Sequence, residues 1–309
     1  MTLPQFDAKT VLKVAVVGDV HDQWGEEDAV ALDYLNPDLV LFVGDFGNEA
    51  VAVTAAIAAL KQPKAAILGN HDAWYSATHW GRQKCPYDRS QEDRVQQQLD
   101  LLGPSHVGYG KLDLPEFGLT VVGGRPFSWG GSDWRNKTFY RERYGVHNFQ
   151  ESSDRLCQAV AAASENTLIF IGHCGPTGLG DAPEDPCGRD WKPLGGDFGD
   201  PDLTAAIAFA KRHNKQVPLV TFGHMHHSLR HRKDRLRKRW DSDSYGTFYL
   251  NAATVPRVIK TPTSHQRNFS WVTLANGQVQ SAASVWIDPR HGATETENLY
   301  QGRSLSASV

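Results

Sequence analysis

Six short apolar runs in this chain end in a glycine, and in five of them a side chain able to bind a cation follows at once. The runs are Val11–Val17 before Gly18, Leu39–Val43 before Gly44, Ala65–Leu68 before Gly69, Leu119–Val122 before Gly123, Thr167–Ile171 before Gly172 and Pro218–Phe222 before Gly223. Runs this short, rich in Val, Ile, Leu and Phe, read as strands buried on both faces. Helical patterns lie between them, at Glu26–Leu35, Glu49–Leu60, Ser90–Leu102, Ser152–Ala163 and Asp202–His213. Ser90 and Asp93 are spaced like a capping box, and Asp200-Pro201 makes a helix entry. After His227 only strand-like stretches remain, at Thr247–Thr254, Ser270–Leu274 and Ala283–Asp288. Alternation of strand and helix followed by a strand-rich end predicts two sheets rather than one doubly wound sheet.

Hydrophobic residues make up 40% of the 309, enough for one large packed domain, placed at 1–288. The polar stretch 289–309 reads as a disordered tail. Arg125–Phe149 and Gly175–Pro201 read as long loops. A net charge of -3 gives no global attraction to nucleic acid or to an anionic membrane. Met1–Lys13 lacks the pattern of a secretory signal, and no stretch approaches the ~20 apolar residues a membrane span requires. Cys85, Cys157, Cys174 and Cys187 form no C-x-x-C pair and read as reduced thiols, which predicts a cytoplasmic protein.

The five strand ends present Asp19 and His21, then Asp45, then Asn70-His71-Asp72, then His173, then His224 and His226. Open α/β sheets bind ligands just beyond the carboxyl ends of their strands, where these groups lie. Singly, each has an ordinary explanation: Gly-Asp is a common turn, and Asp19 could cap a helix. Structural roles alone give five successive strand ends no reason to share one chemistry. Carboxylate, imidazole and amide donors together suit Mn or Fe, with Zn also possible.

The ordered set resembles the calcineurin-like metallophosphoesterase family through Asp19-x-His21, Gly44-Asp45, Gly69-Asn70-His71-Asp72, Gly172-His173 and Gly223-His224-x-His226. The resemblance implies a four-layer α/β/β/α sandwich with two mixed sheets. It also implies two divalent or trivalent metal ions, one held by Asp19, His21 and His226 and the other by Asn70, His173 and His224, with Asp45 between them. His71 would donate a proton to the leaving oxygen and Asp72 would orient its ring. A hydroxide bridging the metals would attack the phosphorus, with no phosphorylated side chain. The second motif continues Phe46-Gly47-Asn48, where relatives often differ.

The substrate implied is a small or medium-sized phosphomonoester or phosphodiester. Arg125, after Gly123-Gly124, either grips a phosphate bidentately or forms a salt bridge. Gly175–Pro201 either covers the site as a lid or is a surface excursion. Cys174 reads as packing. The basic run Arg230–Arg239 raises a nuclease acting on RNA or DNA ends as the alternative, against a solvated hairpin. A non-catalytic scaffold on this fold is disfavoured because every ligand and the proton donor are present.

Overall fold

The computed structural model describes residues 11–302, the side chains of Ala293 and Thr294 excepted. The chain begins β1 (Leu12–Val17), α1 (Glu26–Leu35), β2 (Leu39–Phe42), α2 (Val51–Ala58) and β3 (Lys64–Ala66). Two short helices, α3 (Trp74–Ala77) and α4 (His79–Gln83), and then α5 (Arg94–Leu102) lead to the hairpin of β4 (Lys111–Leu114) and β5 (Leu119–Gly123). There follow α6 (Lys137–Tyr144), α7 (Phe149–Ala161), β6 (Thr167–Ile171), α8 (Pro201–Arg212) and β7 (Gln216–Phe222). Six strands close the described chain: β8 (Trp240–Ser242), β9 (Phe248–Asn251), β10 (Val258–Lys260), β11 (His265–Ala275), β12 (Gln278–Asp288) and β13 (Ala293–Gln301).

They form two mixed sheets. One runs β13-β12-β11-β1-β2-β3 with β10 beside β11, and the other runs β4-β5-β6-β7-β9-β8. Burial explains why the inner strands lack polar alternation. In β1, Val14 and Val16 face one apolar layer while Ala15 and Val17 face another. In β6, Ile169 and Ile171 share the layer of Val14, and Leu168 and Phe170 pack on the other side. The first layer draws on strands of both sheets and lies between them, and the second joins the outer faces to the helices. The result is the expected α/β/β/α sandwich, with β1, β2 and β3 parallel in one sheet and β5, β6 and β7 parallel in the other.

Two expectations are corrected here, and a third, left open between two readings, is decided. The supposed tail from 289 contains β13, which pairs antiparallel with β12 along Ala293–Gln301. Its polar composition suits an edge strand, most of whose described side chains face solvent. The supposed loop Arg125–Phe149 contains α6, which buries Phe139 and Tyr140 and ends at Gly145 in a left-handed conformation.

Arg125 is the third. Its guanidinium is 2% exposed, pairs with Asp200 (2.5 Å) and Asp202 (2.9 Å), and lies 5.0 Å from the Trp134 ring centre. It joins the segment after β5 to the start of α8 and is not presented to a substrate. Arg125→Ala would leave two buried carboxylates uncompensated, and breaking such a pair costs ~3–5 kcal/mol. Urea unfolding is expected to show a loss of about 3 kcal/mol or more, with kcat for a phosphate ester little changed. Unchanged stability with lost activity would return Arg125 to the substrate.

Candidate metal centre

All five ligand-bearing turns meet at one edge of the sandwich. Between β1 and α1 the backbone places Asp19 and His21 at φ of 47° and 44°, Asp45 lies at 54°, and His224 at 67°. Left-handed backbone costs a non-glycine residue on the order of 1–2 kcal/mol, so these conformations are maintained by their surroundings. Part of that support is close backbone approach. A Cβ on Gly69 would collide with the Asp45 carboxylate, and one on Gly223 with that of Asp19.

The donor atoms fall into two main sets, and His71 comes close enough to group with His21 and Asp45 as well. His226 Nε2 is 3.5 Å from Asp19 Oδ1 and 3.2 Å from His21 Nε2. His173 Nε2 is 3.3 Å from Asp45 Oδ1, 2.9 Å from Asn70 Oδ1 and 3.2 Å from His224 Nδ1. Asp45 lies between the sets, its other oxygen 3.8 Å from His21 Nε2. Metal–ligand bonds of ~2.0–2.2 Å place adjacent donors roughly 3.0–3.5 Å apart, the spacing found here. The donors therefore fit two cations. Second partners orient them: the buried His173 donates from Nδ1 to Val43 O (2.8 Å), and the Asp19 oxygens accept from His224 N at 3.0 and 3.1 Å.

The electrostatics agree. Burial opposes ionisation of Asp45, but the imidazoles of His173, His71 and His21 more than offset it and hold the carboxyl well below its ordinary value. Burial pushes His173 down, and Asp45 and Asp19 bring it up to about 10. Two buried carboxylates thus draw positive charge into the site, which either protons or cations can supply.

His71 lies beside both sets, its ring edge-on to His21 at 4.9 Å and stacked on Trp74 at 4.8 Å. Its Nδ1–H donates to Asn48 Oδ1 (2.6 Å), which leaves Nε2 without that partner. Asp72 does not orient this ring, contrary to expectation. Buried at the end of its turn, Asp72 accepts from Phe46 N (2.9 Å) and Gly69 N (2.7 Å), joining the backbones that carry Asp45 and Asn70. The orienting residue, Asn48, stands three positions after Asp45, within the stretch that departs from the common pattern.

The sequence model of the calcineurin-like phosphoesterase family matches residues 12–228. The chain belongs to the calcineurin-like phosphoesterase family. It is a metal-dependent phosphoric ester hydrolase, and its family uses a binuclear metal centre. Among solved structures it is similar to a dimetal phosphatase from Danio rerio, at 12% identity over 94% of this chain and 100% of that one, with a TM-score of 0.44. Likeness extends to purple acid phosphatase PPD1 from yellow lupin seeds, at 14% identity over 93% of this chain and 54% of that one, TM-score 0.46. It extends also to TT1561 of Thermus thermophilus, at 14% identity over 94% of this chain and 100% of that one, TM-score 0.47. No curated protein matches the chain.

Around this phosphoesterase site most of the basic run loses its free charge, Arg230 and Arg235 excepted. Arg232 pairs with Glu184 and Asp234, Lys238 with Asp241, and Arg239 with Glu297, while Lys233 donates to Leu229 O (2.7 Å). Arg237 is buried. It donates to His226 O (3.0 Å) and to the carbonyls of Pro183 (3.0 Å), Asp185 (2.7 Å) and Gly188 (2.7 Å), so it ties Gly175–Pro201 to the turn carrying His224 and His226. In the sequence Arg237 is one charge among many in the basic run. Cys174, next to His173, points its thiol toward Ser128 O (3.6 Å) and is buried packing. Among the described residues no helix is long and apolar enough to cross a membrane.

Proposed function

We propose that Asp19, His21 and His226 hold one cation, that Asn70, His173 and His224 hold a second, and that Asp45 is shared. The observation that supports this reading is the meeting of seven donors in two sets with one carboxylate between them. Oxygen and imidazole donors without a thiolate favour Mn or Fe, with Zn as a third fit. When bound, such a pair supplies Lewis acidity toward the phosphoryl oxygens and generates a nucleophile from water near neutral pH.

The chain's own residues do the rest. Trp74 and Asn48 hold the His71 ring, and His71, as the imidazolium, passes a proton from Nε2 to the departing ester oxygen. Burial lowers the His71 pKa, an effect Asp45 opposes, and a bound anionic phosphate favours the charged ring further. Asp72 acts one step back by holding the Asp45 and Asn70 turns together. The substrate is a phosphomonoester or phosphodiester of small or medium size, and the domain runs through β13 rather than ending at 288. With most of the basic run paired within the protein, and only Arg230 and Arg235 left without a close polar partner among the described residues, the run does not favour a nuclease.

Chelation followed by metal return tests this. Protein stripped by a chelator is expected to lose hydrolysis of p-nitrophenyl phosphate and bis(p-nitrophenyl) phosphate, and to regain it with Mn²⁺ as elemental analysis approaches two metals per chain. Full activity at one metal per chain, or none, would sink the reading.

A further inference from the structure

The residues placed so far handle only the phosphoryl end of a substrate. Beside His224 and His226 opens a cavity of about 250 Å³. Trp129, from the segment after β5, forms one wall, and Trp191 and Phe198 reach in from Gly175–Pro201. Trp191 and Phe198 meet edge-on at 4.8 Å. Trp129 lies 5.4 Å from Trp74, which also stacks on His71, so aromatic surface runs from the proton donor to the cavity wall. Each of these rings stays partly exposed instead of joining the core. The Trp129 Nε1–H is enclosed and has no hydrogen-bond partner among the described residues.

Three arginines line the same space, and two of them present free guanidinium groups. Arg135 and Arg230 are exposed and form no ion pair among the described residues, and Arg230 sits 5.3 Å from the Trp191 ring centre. The carboxylate among the lining residues, Asp190, is occupied by Arg237 (3.4 Å) and by the Arg230 backbone N–H (2.7 Å). The cavity is therefore aromatic and positive. Aromatic faces receive flat rings, and guanidinium groups without carboxylate partners receive anions.

We infer that this cavity takes the rest of the substrate, and that the substrate carries a flat aromatic ring and a second anionic group, the chemistry of a nucleotide. The inference rests on the phosphoesterase reading above. The space is of the order of one ring system and its linker. Arg230 and Arg135 engage the second anion, and Trp191 with Trp129 receives the ring.

Calorimetric titration of the metal-loaded protein separates the contributions, with α,β-methylene-ADP as one ligand and methylenediphosphonate, similar in anionic groups but without the ring, as the other. The nucleotide analogue is expected to bind at least about tenfold tighter, the order that stacking of one base supplies. Trp191→Ala should bring that ratio near unity, while Trp191→Phe, which keeps a flat ring and the fold, should retain most of it. Arg230→Ala should weaken the nucleotide analogue about fivefold, as loss of a charge-assisted contact does. Equal affinities in the unaltered protein, or a ratio that survives Trp191→Ala, would overturn the inference. Failure of the underlying phosphoesterase reading shows separately, as absence of hydrolysis of both p-nitrophenyl phosphate and bis(p-nitrophenyl) phosphate by the same preparation.

Discussion

Asp45→Asn is expected to lose bound metal and activity together, with a fall in kcat/KM of about three orders of magnitude or more. Lewis-acid stabilisation of developing charge is worth several kcal/mol, and each ~1.4 kcal/mol is a factor of ten. The amide nearly matches the carboxylate in shape, so the packing around this buried position survives. What changes is charge. Asp45 is the acidic group closest to His173 (3.3 Å), and it also faces His21 (3.8 Å) and accepts from His71 N (2.9 Å). A neutral side chain there gives two cations no shared counter-charge. Elemental analysis should find well under two metals per chain in a protein whose far-ultraviolet circular dichroism is unaltered. Two full equivalents in an active Asp45→Asn protein would remove Asp45 from its shared position.

His71→Ala separates chemistry from metal binding. His71 follows Asn70 directly but belongs to neither donor set in the proposed assignment. General acid catalysis is typically worth ~10²–10⁴ in rate and matters most when the departing oxygen is strongly basic. The variant is therefore expected to keep its metals and lose about 10²-fold or more on an alkyl phosphate ester. On p-nitrophenyl phosphate the loss should be much smaller, because that leaving group departs without a proton. Comparison of kcat/KM for the two esters, with metal content measured in parallel, decides the matter. Equal losses with metals intact would make His71 a phosphate contact.

The parts legible from sequence are those whose chemistry repeats. Buried parallel strands lack polar alternation because both faces are covered, so their runs were visible, and Thr167–Ile171 has the same limits in sequence and structure. The seven candidate ligands stood out because glycine and donor recur together at strand ends. The capping box expected at Ser90 and Asp93 is displaced: Asp93 is itself the N-cap, accepting from Gln96 N (2.9 Å), and the helix starts after it, at Arg94. Edge elements were harder. The short strand Val258–Lys260 has only one neighbour in its sheet, and Ala293–Gln301 is a polar edge, so neither required an apolar pattern. Three contacts had no local signature at all. Asn48 meets His71 across 23 positions, Arg237 meets Gly188 across 49, and Arg125 meets Asp200 across 75. Which residue a charged or amide side chain will meet at such separations is decided by the folded sheets, and no spacing rule announces it.

The left-handed backbones of Asp19, His21, Asp45 and His224 bear on how this protein can be improved. Glycine would relieve the steric strain of each conformation, worth on the order of 1–2 kcal/mol, against an entropic cost of roughly 0.5–1 kcal/mol. A search that rewards melting temperature alone would therefore be drawn toward glycine at those four places. Each step would look like progress in a thermal screen while it erased a donor. Directed evolution of this scaffold therefore needs a turnover readout alongside every stability readout, because its most tempting stabilising substitutions lie at the positions it can least spare.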